Sequence, residues 1–132
     1  DWHLDSSMDM LQKENRRKYL DDAKKYDAVL IATPCGSHTR VRERPIPGHP
    51  NPPVPLRDAQ NVRGKPGLSE NDERIVQESM LIEFSLNLAD KIGTNESLVA
   101  VENPLNSWLH QFRKAKQLRS RRGCSCCPPR IS

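Results

Sequence analysis

The chain has few aromatic residues and no long apolar run. Aromatic side chains make up 5% of its 132 residues, and hydrophobic residues together make up 35%. This content is low for an α/β domain that buries its own core, so we expect one small domain with an incomplete core. No apolar stretch is long enough to cross a membrane, and no secretory signal is visible. These absences predict an intracellular protein without a membrane partner, nuclear in a eukaryote and otherwise cytoplasmic.

The four cysteines lack the spacing of a disulfide framework or a zinc site. Cys35 stands alone, and the other three are crowded near the C-terminal end at Cys124, Cys126 and Cys127. A structural zinc site needs a second pair of ligands at suitable spacing, and the sequence supplies none. We therefore predict reduced thiols and no metal site.

Acidic residues are missing from the C-terminal part of the chain. Residues 103–132 contain seven Lys or Arg and no acid, whereas residues 1–102 carry 14 basic and 17 acidic side chains. The basic cluster, at 113–122, could contact the phosphates of a nucleic acid. The alternatives are a solvated end or a nuclear address. We predict that residues 113–132 form a disordered tail.

A continuous apolar run at residues 28–32 ends at Pro34 and Cys35. Such a run, without polar alternation, is typical of a strand that is buried on both faces of a parallel sheet. Ligands bind beyond the carboxyl ends of such strands, so Cys35 is a candidate nucleophile. The alternative is that Cys35 is a small apolar filler, as most lone cysteines at such positions are.

A second apolar run, at residues 97–101, leads directly into Glu102 and Asn103. The segment between the two runs has helical periodicity, so the pair predicts a β-α-β unit with parallel strands. Cys35 and Glu102 would then lie at the same edge of the sheet. A thiol and an acid at one edge suit covalent addition to a heterocycle, in which the acid protonates the ring. Alone, Glu102 could equally cap the following turn.

Helices are predicted at residues 10–25 and 69–92, the second with Ser69 as N-cap and Gly93 just after its end. Between the first strand and this helix, residues 45–67 contain seven prolines and form a predicted Pro-rich loop. A loop of this length is either functional or a linker, and the sequence leaves both open. A short helix is predicted after Pro104, with Trp108 in the core.

Arg40, Arg42 and Arg44 alternate just beyond Cys35. In an extended segment these arginines would share one face and could contact a phosphate backbone. The alternative is a solvated run of charge in which Glu43 is the partner.

The ordered set of motifs resembles the cytosine-C5 DNA methyltransferase superfamily, and more narrowly its divergent phage and protist branch. The motifs are a Pro-Cys after the first strand, a Ser- and Arg-containing segment, a Pro-Leu-Arg and a Glu-Asn-Pro. In this chain they are Pro34-Cys35, residues 37–42, Pro55-Leu56-Arg57 and Glu102-Asn103-Pro104. The resemblance covers residues 1–112 and implies a partial Rossmann-type methyltransferase sheet with a Pro-rich insertion.

The resemblance also implies roles for individual residues. Cys35 would attack C6 of cytosine, Glu102 would contact the N3 edge, and S-adenosylmethionine would supply the methyl group. The residues implied in binding this cofactor are Asp1, Trp2, Asp9 and Pro34. Those implied in binding the substrate are Ser37, Arg40, Arg42 and Asn103. The target base would have to leave the duplex stack, and DNA is favoured over RNA as the partner.

The Gly-rich loop that binds the methionine end of the cofactor in the family has no counterpart in this sequence. The expectation is therefore an N-terminally truncated copy, which is inactive if that loop is lost. The alternative is a catalytically dead remnant that binds nucleic acid through the basic tail and the arginines. The sequence does not determine whether the chain is an active enzyme, or its oligomeric state.

Overall fold

The computed structural model describes residues 6–50, 54–68 and 72–121, apart from the side chains of Ser7 and Arg42. In chain order the helices and strands are α1 (Lys13–Asp21), β1 (Ala28–Ala32), α2 (Glu73–Gly93), β2 (Leu98–Glu102) and α3 (Arg113–Arg119). Four short 3₁₀ turns lie at Ser6–Met8, Asp22–Lys25, Arg40–Glu43 and Trp108–Gln111.

The two strands pair in parallel, as the sequence predicts. The register runs from Ala28 opposite Leu98 to Ala32 opposite Glu102, and α2 lies in the crossover between the strands. Parallel neighbours need such a crossover because the chain must return to the same end of the sheet. The described residues therefore form a mixed α/β structure with a two-stranded parallel sheet. A larger Rossmann-type sheet remains a prediction from the resemblance.

Only one face of this sheet is covered by the residues that the structure describes. Val29 and Val99 pack on that face, against Ala23 and Ile92 of the helical layer. On the other face Leu30 is 72% exposed and Leu98 is 73% exposed. The prediction that the first strand is buried on both faces is therefore wrong here, because the described helices lie on one side of the sheet.

A second apolar cluster joins α2 to the C-terminal part of the chain. Its buried members are Ile82, Leu86, Leu109, Phe112 and Ala115. The predicted short helix after Pro104 is present, as the 3₁₀ turn of Trp108–Gln111, and its Leu109 enters this cluster.

Residues 113–121 differ from the disordered tail that the sequence predicts. α3 buries Ala115 and packs Leu118 against α2, because the two residues lie three positions apart on one helix face. Asp90 of α2 pairs with both Lys114 and Arg121. Burial would raise the pKa of Asp90, but the hydrogen bonds and charges of these two partners hold it below its usual value. Residues 122–132 lie outside the described part of the chain.

The helix boundaries differ from the predicted ones by a few residues. α1 is shorter than predicted and is continued by the 3₁₀ turn at Asp22–Lys25. α2 begins at Glu73 because the carboxylate of Asp72 accepts the Arg74 N–H at 3.1 Å. The predicted cap, Ser69, lies outside the described residues, and Gly93 is the last helical residue rather than the one after it.

The segment between the Arg40–Glu43 turn and α2 contains no helix or strand in its described residues, 44–50 and 54–68. It nevertheless enters the core, because Leu56 and Arg57 are both buried. The Leu56 carbonyl accepts a hydrogen bond from the Lys65 N–H at 3.0 Å. This segment therefore places the buried guanidinium of Arg57 next to α2.

Candidate active site

The ends of the two strands are tied together at the edge where the sequence predicts a site. Ala32 pairs with Glu102, the last residue of β2. Asn103 is the next residue, and its side-chain amide donates two hydrogen bonds to the buried Thr33. One goes to the Thr33 hydroxyl and the other, at 3.4 Å, to the Thr33 carbonyl. Asn103 therefore joins the two strands, a role that differs from the predicted contact with substrate.

The loop after β1 presents Cys35 at the surface. Its thiol is free and exposed, and Pro34 before it is half-buried. The Cys35 carbonyl accepts hydrogen bonds from the N–H groups of His38 and Thr39, at 3.1 and 2.8 Å. These bonds close a single helical turn directly after the thiol. Of the predicted site residues, Cys35 and Glu102 are both exposed at the edge formed by the strand ends.

Ser37 does not lie where it could contact a substrate, although the sequence predicts such a contact. Its side chain is buried, with 2% of the residue exposed. The carboxylate of Glu78, on α2, accepts hydrogen bonds from the Ser37 hydroxyl and from the Ser37 N–H, the latter at 2.8 Å. Arg57 donates to the same hydroxyl oxygen from Nε at 3.1 Å and from Nη2 at 2.8 Å. Ser37 therefore anchors the loop from beneath.

Arg57 is the most completely enclosed charged side chain among the described residues, with 1% exposed. Besides Ser37, its guanidinium donates to three groups of the surrounding chain. These are the Val62 carbonyl at 2.7 Å, the Ser79 hydroxyl at 2.9 Å and the Ile75 carbonyl at 3.1 Å. A buried cation needs such partners because it has lost its water. Glu78 supplies the negative charge.

The titration of these groups follows from their surroundings. Burial would raise the pKa of Glu78, but hydrogen bonds from His38 and Ser37 outweigh it and lower the pKa to about 2. Burial lowers the pKa of Arg57 to about 10, although the Glu78 charge acts in the opposite direction. At neutral pH the centre therefore holds one carboxylate and one guanidinium.

His38 is the fourth member of this buried centre. Its ring has no exposed surface, and its Nδ1 lies 3.4 Å from Oε2 of Glu78. Burial lowers the pKa of His38 despite the hydrogen bond to Glu78, so the ring is neutral at pH 7. The Nδ1–H then faces the carboxylate, whereas Nε2 has no hydrogen-bond partner among the described residues.

The segment that contains the arginines is not extended, and Arg40 pairs with Glu43, as in the alternative that the sequence leaves open. Residues Arg40–Glu43 form a 3₁₀ turn because the Thr39 hydroxyl accepts the Val41 N–H. Arg40 bonds to Glu43 at 3.1 Å and lies over the Trp108 ring, with 5.0 Å from its Cζ to the ring centroid. Arg40 is thus engaged within the chain, and the side chain of Arg42 lies outside the described part.

Of the four residues implied in binding S-adenosylmethionine, Asp9 and Pro34 lie in the described part of the chain. Asp1 and Trp2 lie outside it. The exposed Asp9 carboxylate accepts hydrogen bonds from the Leu11 N–H at 2.9 Å and from the Gln12 amide at 3.2 Å. This is a local turn at the start of α1 and leaves the predicted adenine contact without support.

A shallow, open groove lies beside α3, and the exposed Arg113 and Lys116 of this helix are part of its lining. Its volume is about 590 Å³, and the other lining residues are Val62, Gln111, Gln117 and Ser120. No acidic side chain is among these lining residues. Within the described ranges, Arg113 and Lys116 make no ion pair.

Comparisons with protein-family models, with curated proteins and with solved structures found no match to this chain. Among the described residues, no three His, Cys, Asp or Glu lie together in a group that could hold a metal ion. None of the described helices is both long and apolar enough to span a membrane. The function of the site is therefore inferred from its own geometry and from the sequence resemblance.

Sequence reasoning did not predict the buried centre of Ser37, His38, Arg57 and Glu78. One local signal was present: α2 interrupts its apolar stripe between Ile75 and Ile82 with polar residues at positions 78 and 79. Polar residues on the buried face of a helix require partners. No pattern in the sequence indicates that these partners come from the loop after Cys35.

Proposed function

We propose that the chain carries a cytosine-C5 DNA methyltransferase-type site in which Cys35 is the nucleophile and Glu102 the assisting acid. The observation that carries this proposal is the parallel register, which pairs Ala32 with Glu102 just before the Cys35 loop. The exposed Cys35 thiol and the exposed Glu102 carboxyl group therefore lie at the same edge of the sheet. A substrate base could be approached by both groups at once.

The chemistry of these two groups is addition to a pyrimidine ring. The Cys35 thiolate forms an S–C6 bond, and the electron pair of the C5–C6 double bond moves towards C5. Glu102 stabilises the developing charge by donating a proton or a hydrogen bond at N3. Once C5 has formed a bond to the methyl group that a bound donor would supply, a base removes the C5 proton and the thiolate leaves C6, which restores the C5–C6 double bond. The base must leave the duplex stack to reach Cys35.

S-adenosylmethionine is the methyl donor that the resemblance implies, and it supplies an electrophilic methyl group when it is bound. Two of the four residues implied in its binding, Asp1 and Trp2, lie outside the described part of the chain, so the proposal depends on the thiol and the carboxyl group. It concerns DNA as the substrate class and leaves the target sequence open.

The experiment that tests this function measures the product. DNA is incubated with the full chain and S-adenosylmethionine, then digested to nucleosides for mass spectrometry. We expect 5-methyldeoxycytidine with the parent chain and none with Cys35→Ser. Glu102→Gln is expected to lower the rate by about 10²-fold or more, the usual contribution of a positioned acid. Absence of product from the parent chain contradicts the methyltransferase proposal.

A second candidate function is nucleic-acid binding without catalysis. The groove beside α3 favours it, because Arg113 and Lys116 line it and no acidic side chain does. Lys114 and Arg121 are less accessible to a ligand, since both pair with Asp90. In this candidate the phosphate backbone lies along α3, and contacts of this kind give affinity without sequence preference.

The salt dependence of binding tests the second candidate. We expect Arg113→Gln with Lys116→Gln to weaken duplex DNA binding and to reduce the slope of log affinity against log salt. The slope should fall by about 0.9 for each phosphate that the double variant can no longer neutralise. Lys24→Gln is the matched control, because this exposed lysine lies away from α3 in the chain. An unchanged slope in the double variant contradicts the assignment of the groove.

A further inference from the structure

The loop that carries Cys35 is bonded to α2 through Ser37, which lies two residues after the thiol. The Ser37 hydroxyl oxygen accepts two hydrogen bonds from Arg57, and the hydroxyl donates to Glu78. The Ser37 N–H donates to the same carboxylate at 2.8 Å. Both polar groups on one short residue are therefore held by charged partners, which give the strongest hydrogen bonds in proteins.

The two charged partners are themselves fixed. Arg57 is held by the Val62 and Ile75 carbonyls and by the Ser79 hydroxyl, so its guanidinium has little freedom to turn. Glu78 lies on a helix of 21 residues whose neighbouring turns are buried. The loop is consequently attached to a rigid support rather than to another loop.

The glycine between Cys35 and Ser37 favours the close approach of Glu78 to the loop. A Cβ at Gly36 would lie 3.1 Å from Oε1 of Glu78, closer than nine in ten real contacts of this kind. The carboxylate would have to move to accommodate it. Glycine at position 36 therefore leaves room for the carboxylate to reach the backbone of the loop.

We propose that Ser37, Arg57 and Glu78 form a clamp that positions the Cys35 thiol for addition to the base, with Glu78 as the central positioning residue. This inference rests on the proposed function, because a fixed thiol matters only if it reacts. None of the three residues touches the substrate. They act through the turn in which the Cys35 carbonyl accepts the His38 and Thr39 N–H groups. Holding a nucleophile in one geometry is a large part of catalysis.

Two measurements test the clamp on the full chain. The first is amide hydrogen exchange of the loop at residues 34–39, which needs no substrate. The second is the rate of covalent adduct formation with DNA that contains 5-azacytosine. In that base the ring nitrogen at position 5 takes a proton after the thiolate adds, so no methyl donor is required. Peptide mass spectrometry assigns the adduct to Cys35.

The variants are Ser37→Ala and Glu78→Gln, and each has a matched control on α2. Ser85→Ala removes a buried hydroxyl outside the clamp, and Glu83→Gln removes a carboxylate that pairs with the exposed Arg63. We expect both clamp variants to exchange the loop amides at least about tenfold faster and to form adduct at least about tenfold more slowly, the factor that one charged hydrogen bond supplies. Both controls should match the parent.

The outcomes separate the clamp from the proposed function. If the parent chain forms no adduct, the proposed function fails, and the exchange rates alone decide whether the clamp holds the loop. If clamp variants and controls exchange alike, the clamp is contradicted. If exchange rises while adduct formation stays at the parent rate, the positioning role is contradicted. If Glu78→Gln does not fold, Ser37→Ala decides, because it keeps both charged partners.

Discussion

Replacing Arg57 with alanine is expected to lower the free energy of unfolding by about 3–5 kcal/mol, because it removes a buried cation from its hydrogen-bond partners and leaves the nearby charge of Glu78 uncompensated. Glu78 would keep its negative charge without the guanidinium that shares the Ser37 hydroxyl with it. The Val62 and Ile75 carbonyls would also lose their donor. Small domains are stable by only about 5–15 kcal/mol, so this variant should lose a large share of its stability.

Urea denaturation followed by circular dichroism measures this effect. The matched control is Arg74→Ala, because Arg74 is exposed and its only ion pair in the described part of the chain is a weak contact of 3.9 Å with Asp72. The control should change the free energy of unfolding by no more than about 0.5 kcal/mol. Equal unfolding midpoints for the two variants would show that the Arg57 contacts do not hold the fold together.

The second large effect is expected from Ile92→Ala. Ile92 has no exposed surface and packs with Ala23 and Leu88 under the sheet. Removing its side chain should cost about 2–5 kcal/mol, since the loss includes both transfer of apolar surface and the cavity left behind. Leu30→Ala is the comparison at the opposite face, where the side chain is already 72% exposed. We expect a change of about 0.5 kcal/mol or less for that variant.

Thermal unfolding of the two alanine variants compares the two faces of the sheet directly. A large decrease in melting temperature for Ile92→Ala with a small decrease for Leu30→Ala supports a sheet that is covered on one side. A comparable drop for both variants contradicts it, because Leu30 would then have to be buried.

The strands and their direction could be predicted from the sequence because both depend on local patterns. Each apolar run is short and ends at polar residues, and the helical segment between them requires a parallel crossover. Burial on both faces could not be predicted in the same way. An apolar run shows that a strand can be buried, whereas its actual burial depends on which elements lie against it, as Leu30 shows.

The edge position of Cys35 and Glu102 also follows from these local patterns. The clamp beneath it does not, because Ser37 and Glu78 are 41 positions apart and meet only in the folded chain. The arrangement of the arginines is a case that the sequence leaves open. Their alternation suggests an extended segment, but the Thr39 cap and the pair of Arg40 with Glu43 favour a turn, and both signals were present in the sequence.

α3 could not be predicted because its apolar residues are few. Ala115 and Leu118 are surrounded by charged neighbours, so the segment has the composition of a solvated tail. Packing against α2 and the two ion pairs with Asp90 compensate for this weak pattern. Truncation at residue 113 would therefore remove part of the core together with the basic groups.

The measurement that tests the central claim most directly is covalent capture of Cys35 by DNA containing 5-azacytosine. We expect a stable adduct that maps to the peptide containing Cys35 and is absent in Cys35→Ser. We also expect slower formation by about 10²-fold or more in Glu102→Gln, because the assisting acid is removed. An adduct on Cys124, Cys126 or Cys127 instead, or no adduct from the parent chain, would contradict the assignment of Cys35 as the nucleophile.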